Sequence, residues 1–217
     1  MNLFIFLIDW DARIPILRTN DWLLAPFYIA FLCAVALLLR KKYTKNLPEA
    51  KKYFMPALVL RFIGCFCFSL LYMYYYNGGD TWAYHWGAIA MWRAFFYDVN
   101  LWVEILFSEA GVYSYEAFNF FRETQVTWYI TGPETMSVIK IAGFLYLFSF
   151  QSYLCTGLIL AFLSMISCWK IYDVFTDMYP HLYKPLAYGI LFIPSIFFWG
   201  AAGLMKDTIV LLSLIHI

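Results

Sequence analysis

Apolar residues in this chain come in long runs, and the polar residues gather between them. The pattern predicts helices that cross a membrane, because about 20 consecutive apolar residues span the hydrocarbon of a bilayer. A first span is expected at 22–39, with Pro26 in its first turn and Arg40-Lys41-Lys42 as its stop. A second is expected at 54–76, ending in the aromatic cluster Tyr72 to Tyr76, as suits a helix meeting the membrane interface. A third is expected at 152–171 and a fourth at 186–199, kinked or ended near Pro194. A fifth starts at Asp207 and runs to the last residue, Ile217, which is too short to cross.

The stretch 77–151 breaks this rhythm. Trp86 to Tyr97, Leu101 to Phe107 and Val138 to Phe148 mix aromatic and polar residues. They read as amphipathic helices lying in the interface with their apolar faces in lipid. For Val138 to Phe148 the alternative is the start of the third span. The expected fold is therefore all-α: a polytopic transmembrane helix bundle, with interfacial amphipathic helices in one long extracytoplasmic loop. Residues 1–217 make a single transmembrane domain, read as the N-terminal fragment of a longer protein. The ending Leu212-Ser-Leu-Ile-His-Ile217 resembles translated adaptor sequence, so His216 receives no role.

Composition agrees. The chain is 64% hydrophobic and 13% charged, against about 25% charged for soluble domains. The net charge of +1 points to no nucleic-acid partner, and nothing in the chain sets an oligomeric state. Its distribution says more. Six Lys and Arg stand against one Glu over 40–52, whereas 77–137 carries seven Asp and Glu against two Arg. The positive-inside rule places the first segment in the cytoplasm and the acidic loop outside. Cys33, Cys65, Cys67, Cys155 and Cys168 all sit in apolar segments and read as small packing residues.

Two polar motifs interrupt the apolar pattern at what this topology makes the outer face. In Asn77-Gly-Gly-Asp-Thr-Trp-Ala-Tyr-His85, the glycines let the second helix stop and turn. Asp80 then stands at the water–lipid boundary as a general base for an acceptor hydroxyl, a metal ligand, or an N-cap for a helix from Thr81. Tyr84 falls on the same helix face, and His85 adds a second polar group. In Pro194 to Asp207, Lys206 and Asp207 are the only charges of a run of about thirty residues. Lys206 suits a lipid phosphate. Asp207 suits a sugar hydroxyl, a helix cap, or a partnership with Lys206. Arg61, two turns into the second span, is expected to snorkel to the cytoplasmic face.

These two motifs, GGDTWAYH and PSIFFWGAAGLMKD, resemble the GT-C superfamily of membrane glycosyltransferases, and within it a Bacteroidetes-type branch. The resemblance runs from about Phe54 to Val210. It implies a polyprenyl-phosphate-linked sugar as donor, and an acidic residue in the first large extracytoplasmic loop as catalytic group. Here that residue is Asp80, with Lys206, Asp207, Tyr84 and His85 around the substrate. No cofactor is expected, although a carboxylate such as Asp80 can hold a divalent ion. The expected activity is sugar transfer to a glycan, lipid or protein hydroxyl at the outer face of a bacterial inner membrane. An oligosaccharide repeat-unit polymerase and a non-enzymatic transport or assembly protein are the alternatives.

Overall fold

The computed structural model describes residues 17–45, 48–199 and 203–213. Every regular element among them is helical. Among the described residues, three helices are long and apolar enough to cross a membrane: α1 (Thr19–Tyr43), α2 (Lys51–Leu71, with a 3-10 turn before it and a π turn, Tyr72–Tyr76, after it) and a later helix, Tyr153–Met178. Between α2 and that helix lie α3 (Asp80–Tyr97), α4 (Val99–Phe107), α5 (Tyr115–Glu123) and α6 (Pro133–Ser149); Tyr153–Met178 is α7. Two short helices follow, α8 (Tyr183–Leu191) and α9 (Lys206–Ser213).

The three long helices pack in register. Asp21, near the start of α1, is buried and accepts from the Arg18 amide, the Ser152 hydroxyl and the Leu154 amide. It therefore serves the first turns of α1 and α7 together, satisfying donors that a helix start leaves free. At the far end the Trp169 indole donates to the Tyr43 carbonyl at 3.0 Å. α1 and α7 thus run parallel. α2 runs against α7, with Phe54 on Trp169 at 4.8 Å between ring centres and Arg61 on Ser164 at 2.6 Å. α1 and α7 begin, and α2 finishes, at one end of the three-helix unit, its upper end.

Arg61 does not snorkel. It is wholly buried, and its Nη1 donates to the Ser164 hydroxyl in the middle of the α2–α7 contact, while Nε and Nη2 have no hydrogen-bond partner. Its place at the centre of α2, facing α7, leaves the side chain no route along lipid to either surface.

The expected fourth span is broken. α8 has nine residues and is followed by a π turn, Ser195–Trp199, with Pro194 between them. Proline has no amide hydrogen and clashes with the preceding helical turn. The π turn rests on α2 at Gly64, where a Cβ would come within 2.2 Å of the Phe197 carbonyl oxygen. Of the expected fifth span, α9 is described as far as Ser213.

The stretch 77–151 also departs from expectation. α3 does not lie with one face in lipid. Its residues from Gly87 to Ala94 are all buried, because α6 covers one side while α4 and α5 cover others. Its apolar residues run all round it, which is the pattern of an interior helix. α6 is a separate helix rather than the start of α7. Phe150 and Gln151, at φ 52° and 59°, turn the chain between them.

Candidate functional site

The upper end of the bundle is shaped by how α2 stops. Its last turn widens into the π turn Tyr72–Tyr76, and Asn77 closes it in the left-handed conformation. Gly78 and Gly79 follow at φ 153° and 104°, a region in which a side chain is strained. The Tyr72 ring lies under Gly79, and a Cβ there would meet Tyr72 Cε1 at 3.0 Å. The expected N-cap role therefore falls to Gly79, and Asp80 is the first residue inside α3.

The carboxylate of Asp80 is exposed and accepts from the Tyr129 hydroxyl at 3.1 Å. Tyr129 sits in a 3-10 turn just before α6. Burial, and then the bond and charge of Asp80, push the Tyr129 phenol above its ordinary range, so it remains a donor at neutral pH. Neighbouring α3 residues anchor the helix inward. The Thr81 hydroxyl bonds that of Tyr153 at 2.7 Å.

Tyr84 is fully buried, and its hydroxyl has no hydrogen-bond partner. Its ring meets that of Tyr129 edge-on at 6.2 Å. Burial, followed by the charges of Asp80, Tyr129, Glu134 and Asp207, raises its phenol. Asp80 and Asp207 are also both within electrostatic reach of Tyr72. The two sequence motifs, more than a hundred residues apart, therefore meet at one end of the bundle.

Lys206 opens α9, and its ammonium pairs with Glu134 at 3.2 Å rather than with Asp207. Both partners are well exposed, so the pair adds little stability. Glu134, in the first turn of α6, and Tyr129, the donor to Asp80, are groups that the sequence pattern did not single out. Asp207 is exposed and lines a groove of about 340 Å3 whose other walls are Ser195, Ile196, Trp199, Val210 and Leu211. The groove is mostly apolar, and Asp207 is its one charged wall.

His85 is placed differently from the expectation. It is fully buried, with Nδ1 bonded to the Tyr146 hydroxyl and its ring among Trp86, Tyr146 and Tyr153. Burial holds its pKa well below the ordinary value, so it is a neutral packing group with no path to a ligand. The exposed groups at this end are Asp80, Glu134, Lys206 and Asp207, and of the three carboxylates it is Glu134 that pairs with the ammonium. Among the described residues, no three His, Cys, Asp or Glu side chains stand close enough to share a metal ion. Comparison with protein-family models, with curated proteins and with solved structures finds no match.

Proposed function

We propose that the chain is part of an integral-membrane glycosyltransferase that moves a sugar from a polyprenyl phosphate to a hydroxyl acceptor at the membrane surface. The observation that carries this reading is the exposed Asp80 carboxylate, oriented by Tyr129, at the same end of the bundle as Lys206 and Asp207. In this reading Asp80 takes the proton of the acceptor hydroxyl as its oxygen attacks the sugar's anomeric carbon. The bond from that carbon to the phosphate oxygen breaks, and the phosphate leaves on its lipid. Lys206 receives the developing charge, which requires the phosphate to replace Glu134 as its partner. The apolar groove beside Asp207 suits the first isoprene units of the carrier. Tyr84 backs the site from inside.

Asp80→Asn keeps the size and removes the basicity. With a general base worth roughly 10²–10⁴-fold, transfer of labelled sugar from polyprenyl phosphate in membranes should fall by that factor while expression is unchanged. Full transfer by the variant ends the reading.

One observation favours a second reading, a transport or assembly protein. Arg61 is buried at mid-helix, and ionisable groups inside a span commonly mark a path or an interface. Arg61→Met separates the two readings. It should leave sugar transfer intact if the upper cluster is the site, and abolish function if the arginine is.

A further inference from the structure

Along the first turns of α6, a groove of about 430 Å3 that shares no lining residue with the carboxylate cluster is formed by Ser108, Glu109, Ala110, Pro133, Met136, Ser137 and Lys140. It holds one ammonium and one exposed carboxylate. The ammonium of Lys140 donates to the Ser108 carbonyl, and a lysine has three donors, so two remain for a ligand. Burial pushes the Lys140 ammonium below its ordinary pKa. That cost falls when an anion joins the group.

The groove continues into apolar surface. Ser137, Lys140, Phe144 and Phe148 follow one another at helical spacing along α6, and both phenylalanines are exposed. Lys140 to Phe148 covers about 12 Å at 1.5 Å per residue. Phe148 then forms one wall of a second groove, of about 410 Å3, with Phe27, Tyr28, Phe31, Leu32 and Ile159. The Tyr28 hydroxyl donates to the Phe148 carbonyl and ties the end of α6 to α1 there. Tyr28 lies nine residues beyond the start of α1 and Ile159 six beyond the start of α7. The second groove is therefore roughly 9–14 Å below the upper end, among the membrane-spanning helices. A polar recess with one charge of each sign leads along a continuous aromatic stripe into an apolar recess. That is the chemistry of a zwitterionic lipid, polar at one end and hydrocarbon at the other.

We propose that α6 holds one phospholipid of the surrounding bilayer, with its phosphate on Lys140, its headgroup amine on Glu109, and an acyl chain in the groove between α1 and α7. The site is separate from the Asp80 cluster and does not depend on the activity assigned there. A primary amine fits better than a quaternary one, because only the former offers N–H donors to a carboxylate.

Native mass spectrometry of the 217-residue chain, purified in detergent and mixed with defined dioleoyl lipids, tests this. One phosphatidylethanolamine should stay bound per chain, phosphatidylcholine should be held more weakly, and diacylglycerol should be lost. Lys140→Met should lower retention of both phospholipids by about tenfold, the value of one charge-assisted contact, and Lys140→Arg should restore it. Glu109→Gln, at an exposed position that leaves folding intact, should bring phosphatidylethanolamine down to the phosphatidylcholine level and leave the latter unchanged. Diacylglycerol held as well as phospholipid would overturn the proposal, since the surface would then be only apolar. So would retention indifferent to both Lys140→Met and Glu109→Gln. Circular dichroism confirms that each variant is folded, and if Lys140→Met fails there, Glu109→Gln and Lys140→Arg decide.

Discussion

The described polar groups that matter in this chain fall into two sets, and their surroundings could hardly differ more. Asp80, Glu134, Lys206 and Asp207 stand exposed at the upper end, each able to exchange its partner for water or a ligand. Asp21 and Arg61 are closed inside the contacts of α1, α2 and α7, with fixed partners. A charge in the first set costs little to keep and little to remove. In the second set, each group has been taken out of water, and its free energy depends on the partners it finds. Substitution in the inner set should therefore register as stability, and in the outer set as activity.

The largest stability effect is expected at Asp21. Asp21→Ala removes three accepted bonds at once and leaves the buried Ser152 hydroxyl and Leu154 amide to find new partners. A loss of about 2–6 kcal/mol is expected, about 1–3 kcal/mol for each of these two buried donors left unpaired, read as a lowered melting midpoint in detergent. A melt unchanged by this substitution would erase the contrast between the two sets.

Arg61 gives a subtler outcome. Ser164→Ala takes away its acceptor and should cost about 1–3 kcal/mol. Arg61→Met removes the charge together with its two unpartnered nitrogens, and should be neutral or stabilising. In the Arg61→Met background, Ser164→Ala should then cost less than it does in the parent chain. Equal costs of Ser164→Ala in both backgrounds would show that the serine acts without the arginine.

Acid sharpens the comparison from another side. Burial depresses the His85 pKa in the folded chain, so below its unfolded value of about 6.5 the unfolded state binds the extra proton. Stability is then fully present above that pH and falls as pH drops through it, by up to about 1.4 kcal/mol per pH unit. Melting midpoints should fall between about pH 7.5 and 5.5, roughly the titration window of His, and His85→Phe should remove that part of the slope.

The smallest stability change is expected at Lys206. Lys206→Met breaks an exposed pair and should move the melt by no more than about 0.5 kcal/mol. On the glycosyltransferase reading proposed above, use of a lipid-linked donor should weaken all the same. A large loss of stability there would place Lys206 with the inner set.

Those two sets were not equally legible in the sequence. The three long helices were readable because lipid demands contiguous apolar runs, and 22–39, 54–76 and 152–171 fall within or close to α1, the α2 unit and α7. Asp80 and the Lys206–Asp207 pair stood out as polar breaks in such runs. α3 was misread because a helix apolar all round looks the same from its sequence whether lipid or protein surrounds it. Its burial depends on α6, whose Ile139 and Met91-facing Gly143 close on it. Glu134 gave no local signal, since its partner Lys206 lies 72 residues away. Arg61 and Asp21 needed the register of α2 and α1 against α7, which no single segment contains.

Gly64 lies in the middle of α2, far along the chain from Asp207, yet the two are geared together. The π turn Ser195–Trp199 can close on α2 only because position 64 offers a single hydrogen atom where any other residue would offer a methyl group or more. That turn supplies Ser195, Ile196 and Trp199 to the groove that Asp207 also lines. The clearance at one glycine therefore sets the width of a recess on the far side of the turn, so that the gauge of the groove is written into a helix that contributes no residue to it.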